Sequence, residues 1–203
     1  EKVIDLEATT TLKELAEKIN EGSAVTASIV NDGSDQNPYR LILTAKTPGK
    51  DNNITVTQNS TTLNFADKQI EAVTVDSDNA SDYLGTVTSN GTYTGEDNTS
   101  YVMEIITEGA ADGTAKYRLS TDGGLTFDDN GGVGFSVTSG GPLSLANGVT
   151  INFEDNGTLK EGDTFSVDVF NPELETPQDA LLTVDGISIR KSTNVVKDVF
   201  EGI

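Results

Sequence analysis

The feature that most constrains this chain is the spacing of its turn-forming residues. From about Lys68 onward, Gly, Asn, Asp, Ser and Thr recur so densely that apolar character survives only in short islands. These are Leu84 to Thr88, Tyr101 to Thr107, Ala115 to Ser120, Gly134 to Thr138, Val149 to Phe153 and Thr164 to Phe170. Islands of that length between turn signals read as strands, and several in series specify a β-sandwich or barrel-like domain. No helix is needed in this region.

The two ends have a different texture. Thr11-Leu-Lys-Glu14 fits a capping box, in which the Thr11 hydroxyl and the Glu14 carboxylate satisfy each other's free backbone donors. Leu12, Leu15, Ala16 and Ile19 follow at helical spacing and Gly22 closes the run, which predicts an amphipathic helix over about 11–20. Ala24 to Val30, Tyr39 to Ala45 and Asn53 to Thr57 alternate as three strands of a small antiparallel sheet covered by that helix. Pro172 and Pro177 flank an acidic linker. Beyond it, Asp185-Gly186 between Leu181 to Val184 and Ile187 to Arg190 predicts a two-residue hairpin. A terminal helix capped by Ser192 or Thr193 is expected to carry Val195, Val196, Val199 and Phe200 on one face. The fold class expected is therefore mainly β with minor α (α+β). Residues 1–67 and 176–203 are expected to form one discontinuous helix-plus-sheet domain, and 68–175 a β-sandwich-like domain inserted into it.

Composition removes whole classes of chemistry. The 203 residues contain no Cys and no His, which excludes thiol nucleophiles, disulfides, Cys/His zinc sites and histidine-based triads. Thirteen basic against 33 acidic residues give a net charge of -20, which repels nucleic-acid phosphates and anionic membranes. The acids are spread along the chain and read as a solvated surface. No stretch has the length and apolarity of a membrane helix, and no signal-peptide pattern is present. The chain starts at Glu1 and stops at Ile203 directly after the helix-like segment, so both ends are expected to be cuts within a longer protein.

Candidate sites are few. Ser120-Thr-Asp122-Gly-Gly124-Leu-Thr126-Phe127 resembles the Asp-box hairpin of sialidase-type propellers, in which Asp122 bonds loop amides, Gly124 permits the turn and Phe127 anchors the hairpin in the core. One box is present where propellers repeat it. It is expected to be structural, as are Asp185 and Gly186. Glycoside hydrolysis needs a carboxylate pair across a pocket; Glu104, Asp128 and Asp129 are available, but sequence pairs none of them. A sialidase-like site also needs an arginine cluster, and Arg40, Arg118 and Arg190 lie in separate segments. Asp76, Asp78 and Asp82 lack the glycine turn and closing Glu of an EF-hand loop and read as solvated. Gly49-Lys50 does not complete a phosphate-binding loop. Six Asn-x-Ser/Thr triplets, such as Asn53-Ile-Thr55 and Asn156-Gly-Thr158, follow from the abundance of Asn and Thr. No catalytic, cofactor-binding or metal-binding residue is assigned, and no cofactor is expected.

Two stretches carry a family resemblance. Leu12-x-x-Leu15-Ala16-x-x-Ile19-Asn20, Val25-Thr-Ala-Ser28, Tyr39-Arg-Leu41 and a Thr47-x-Gly49 turn before Asn53-Ile-Thr-Val56 are similar to a helix-strand-strand segment of flagellar filament cap proteins. Asp179 to Ile203 resembles the hook IN motif of cap proteins and some flagellins. The resemblance implies the head portion of a cap subunit, without the helical legs, and a non-enzymatic role. By it, the protein is exported through the flagellar secretion apparatus to the filament tip, forms a ring with its own copies, and promotes flagellin folding and insertion while preventing monomer leakage. Its outer loops are the part placed to touch surfaces or host mucin. Flagellin or a hook-associated junction protein shares the motif and stays open. So does a carbohydrate-binding adhesin module, motivated by the Asp box and by Tyr83, Tyr93 and Tyr101.

Overall fold

In the computed structural model, residues 2–31, 38–80 and 82–195 are described. The chain is mainly β with minor α, as expected, and has a single helix among these residues. It divides into two compact units, Glu1–Thr61 with Glu175–Ile203, and Thr62–Leu174.

In the first unit, helix α1 runs Leu12–Asn20. The capping box forms: the Glu14 amide donates to Thr11 Oγ1 at 3.3 Å, and the Thr11 amide donates to Glu14 Oε2 at 2.8 Å. These bonds hold the Glu14 carboxyl below its ordinary pKa. Leu15, Ala16 and Ile19 are buried, and the helix packs against β1 (Val25–Asn31), where Ala27 is also buried. β1 pairs antiparallel with β2 (Tyr39–Ala45), from Val25 opposite Ala45 to Asn31 opposite Tyr39. The third strand expected at Asn53–Thr57 is not formed. Its alternation is real, but a strand needs a ladder partner, and β2 pairs only with β1 among the described residues.

The other end of the chain returns to this unit. The Lys50 amide donates to Asp179 Oδ1 at 3.1 Å, and a Cβ on Gly49 would lie 2.3 Å from the Ser192 carbonyl oxygen. Ala180–Val184 and Ile187–Lys191 form the expected hairpin, numbered β12 and β13 in chain order. Asp185 (φ 48) and Gly186 (φ 83) both have positive φ, the requirement of a type I′ turn, whose twist matches that of the strands it joins. The terminal helix expected over Val195 to Phe200 lies outside the described residues beyond Val195.

The second unit contains β3 (Gln69–Ile70), β4 (Thr74–Val75), β5 (Val87–Gly91), β6 (Thr99–Thr107), β7 (Asp112–Ser120), β8 (Phe135–Thr138), β9 (Leu143–Ser144), β10 (Val149–Phe153) and β11 (Thr164–Phe170). One sheet runs β3-β11-β6-β7-β8, with β4 also on β11; the other runs β5-β10-β9. Alternate residues of the central strands are buried, so Tyr101, Met103 and Ile105 on β6 and Phe165, Val167 and Val169 on β11 share a core with Val149, Ile151 and Phe153 on β10. Phe153 and Phe165 meet edge to face at 5.1 Å, joining the two sheets. Ser139, just past β8, bridges Phe153 and ties the larger sheet back to the smaller. The island expected at Leu84 to Thr88 shifts toward the C-terminus: Leu84 is exposed, and pairing with β10 runs from Val87 to Gly91.

Candidate functional site

The β7–β8 connection begins with the Asp box, and the box forms. Gly124 N–H donates to Ser120 Oγ at 2.8 Å, and the Ser120 hydroxyl donates to Asp122 Oδ1 at 2.7 Å. The Thr126 amide donates to Asp122 Oδ1 at 2.9 Å, and the Thr126 hydroxyl to Oδ2 at 2.6 Å. Gly124 has φ 87, a conformation that suits glycine. Donors from Thr126 and Ser120 favour the ionised carboxylate, lowering the Asp122 pKa to about 2.

Phe127 does not anchor the hairpin in the core, as the Asp-box comparison had led us to expect. It is half-buried outside the core cluster, with the Arg118 guanidinium 4.3 Å from its ring centre. Arg118 also donates through Nε (3.1 Å) and Nη2 (2.7 Å) to Glu104 Oε2, directly across the β6–β7 ladder. The aromatic is thus held by a cation on its own sheet, an attraction available without full burial.

The carboxylates that a hydrolase reading requires are engaged elsewhere. Glu104 is bound to Arg118. Asp128 Oδ1 accepts from the Asn130 amide and Asp129 Oδ1 from the Gly132 amide, each at 2.9 Å. A cleft of about 420 Å³ beside the box is lined by Tyr93, Asp97, Asn98, Thr99, Asp122 and Asn147, among others. Asp122 there is poised to stay ionised, the opposite of a general acid, whose pKa must be raised. Arg40, Arg118 and Arg190 fall on β2, β7 and β13. Asp76 turns inward on the Asp78 amide, and Asp82 faces Lys160 at 3.3 Å, which also holds Glu108 at 2.8 Å. Among the described residues no group of three or more acidic side chains is placed to hold a metal, and no helix is long and apolar enough to cross a membrane.

The tyrosines that motivated a sugar-binding module are not a surface platform. Tyr93 and Tyr101 are buried in the core, edge to face at 6.5 Å, and half-buried Tyr83 packs on Phe153 and Phe165. Burial raises the Tyr83 and Tyr93 phenols to about 12. Their hydroxyls turn to the backbone, Tyr93 donating to the Asp97 carbonyl at 2.5 Å and Tyr83 to that of Glu154 at 2.7 Å.

Three features had no signal in local sequence. Asp163, 2% exposed, accepts from the amides of Ala80 and Lys160 and so ties together loops remote in sequence. Asn20, at the end of α1, bonds both backbone groups of Ala27. Leu125, between the pinned residues of the Asp box, is 84% exposed. A periodicity argument sees none of these, because each depends on hydrogen bonds that apolar spacing does not encode.

A helix-capped β-ribbon opens the chain, and its sequence is similar to a known flagellar motif: residues 1–47 match the flagellin hook IN motif. The match falls on α1 and the β1–β2 ribbon, whereas the sequence reading had placed the motif at Asp179 to Ile203. More particularly, the chain is similar to flagellar hook-associated protein 2 of Campylobacter jejuni, with 26% identity over 205 aligned residues and the whole chain covered. Both findings bear out the resemblance drawn from the sequence. The chain spans about a fifth (22%) of that relative's length. No solved structure matches it.

Proposed function

We propose that the chain is the outer, contact-making portion of a flagellar filament cap subunit. In this reading the full protein is exported to the filament tip, associates with its own copies, and holds arriving flagellin so that it folds and inserts without escaping to the medium. The observation that carries the reading is similarity along the whole chain to a hook-associated protein 2, joined to a hook IN match at the N-terminal helix and ribbon. The site geometry supports a non-enzymatic role, since the Asp box is fully engaged in holding its own turn. The mechanism is templating by shape and surface contact, with no bond made or broken. Adhesion to surfaces or mucin belongs to the same proposal and draws on the polar loops of the second unit.

Flagellin is the second reading, because the motif match alone fits it equally. Purified full-length protein, added to cells that secrete flagellin but lack the gene, tests between the two. Cap action restores filament growth at amounts far below those of flagellin. A requirement for stoichiometric amounts, with the added protein found along the filament shaft, contradicts it.

A further inference from the structure

Charge is divided unevenly along this chain. Residues 62–174 hold 19 acidic and four basic residues, and no basic residue lies between Arg118 and Lys160. Between Asp35 and Asp51, by contrast, there is no acid, and Arg40, Lys46 and Lys50 give that strip a positive sign. Like charge keeps the acidic units of two copies apart, while the basic strip of one copy attracts the acidic unit of another.

The strip contains β2, one edge of which meets no strand among the described residues. On the opposite edge of the same ribbon, Asn20 Nδ2 donates to the Ala27 carbonyl and Asn20 Oδ1 accepts the Ala27 amide, both at 2.9 Å. The Ser23 hydroxyl likewise donates to the Val25 carbonyl at 2.7 Å and accepts its amide at 3.1 Å. Side chains thus stand in for a neighbouring strand, one of the ways sheets blunt their edges. Because Val25 and Ala27 bond outward on β1, the backbone groups of Ala45 and Leu43 opposite them turn outward on β2. No strand meets them among the described residues, and β2 contains no Pro, Gly or bulge. Tyr39, at its start, is 61% exposed.

The acidic counterpart lies on the β7–β8 connection. The Asp box pins Gly124 and Thr126, and between them Leu125 projects into solvent. Val133 on the same connection is also exposed, and Asp128 and Asp129 lie between the two in sequence. A large apolar side chain fixed outside the core by hydrogen bonds on both sides has already met its ordering cost, which favours its use as a contact residue.

We infer that copies of this chain meet head to tail, the β7–β8 connection of one against the β2 edge and its Lys46–Lys50 end on the next. Such a heterologous contact repeats, closing into a ring or continuing as a helix according to its rotation. The inference rests on the self-association part of the cap reading and names its surface.

Sedimentation velocity of the 203-residue chain over a concentration series tests it. Association is expected, and it weakens as salt rises. Leu125→Ser and the pair Lys46→Glu with Lys50→Glu each weaken it about tenfold or more. Asp128→Asn with Asp129→Asn, which keeps the side-chain acceptors of the turns, weakens it severalfold. Combining the Lys and Asp sets costs less than their sum, the signature of partners in contact. All the changed side chains are exposed, and thermal melts establish that each variant folds. Association indifferent to every set, or strictly additive, overturns the inference and leaves the cap reading standing. A chain that stays monomeric at all concentrations also overturns it, and the cap role is then read from filament growth alone.

Discussion

Asp122 illustrates how one residue sets the conformation of a long connection. Its two oxygens take the Thr126 amide, the Thr126 hydroxyl and the Ser120 hydroxyl, so the turn is held by its ionised form. With a folded pKa of about 2 against an ordinary value of about 3.9, the stability it contributes is complete above about pH 4 and is lost as pH falls toward 2. Asp122→Asn, measured by thermal midpoint from pH 2 to 7, is therefore expected to fall below the native protein at neutral pH and to converge on it near pH 2. A gap independent of pH contradicts this role. Asp122 and Gly124 were legible in the sequence because the box's spacing is itself the hydrogen-bond pattern. Phe127 was misread because spacing cannot show that Arg118 lies across its face. Tyr93 sits in polar local sequence, and only packing against Tyr101 and the rest of the core buries it.

At the scale of elements, the ribbon beside α1 is the most informative. Asn20→Ala removes the partners of both Ala27 backbone groups, an expected loss of about 1–3 kcal/mol. It also opens the β1 edge, so faster aggregation on mild heating is expected alongside the lower melting midpoint. A variant with unchanged midpoint and unchanged aggregation shows that the edge is not held by Asn20. The helix was legible from its capping box and apolar spacing, and β2, β10 and β11 from alternation over five to seven residues. β3, β4 and β9 were not, since a two-residue strand has no period to detect. Asn53 to Thr57 shows the converse, alternation without a strand, because pairing is decided by neighbours outside the segment.

At the scale of the whole molecule, two β-rich units share a net charge of -20, which sets a repulsive field toward other anions. The absence of His and Cys was decisive at the sequence level by exclusion. The flanking segments, not the longer middle region, carried the resemblance to a family, and the middle region's core became visible only once β6, β10 and β11 were brought together. The proposed cap role is tested most directly by the partition of flagellin between filaments and medium in cells lacking the gene. The cap account predicts short or absent filaments with flagellin accumulating as soluble monomer, reversed when the intact gene is restored. Filaments of normal length with no excess monomer in the medium contradict it.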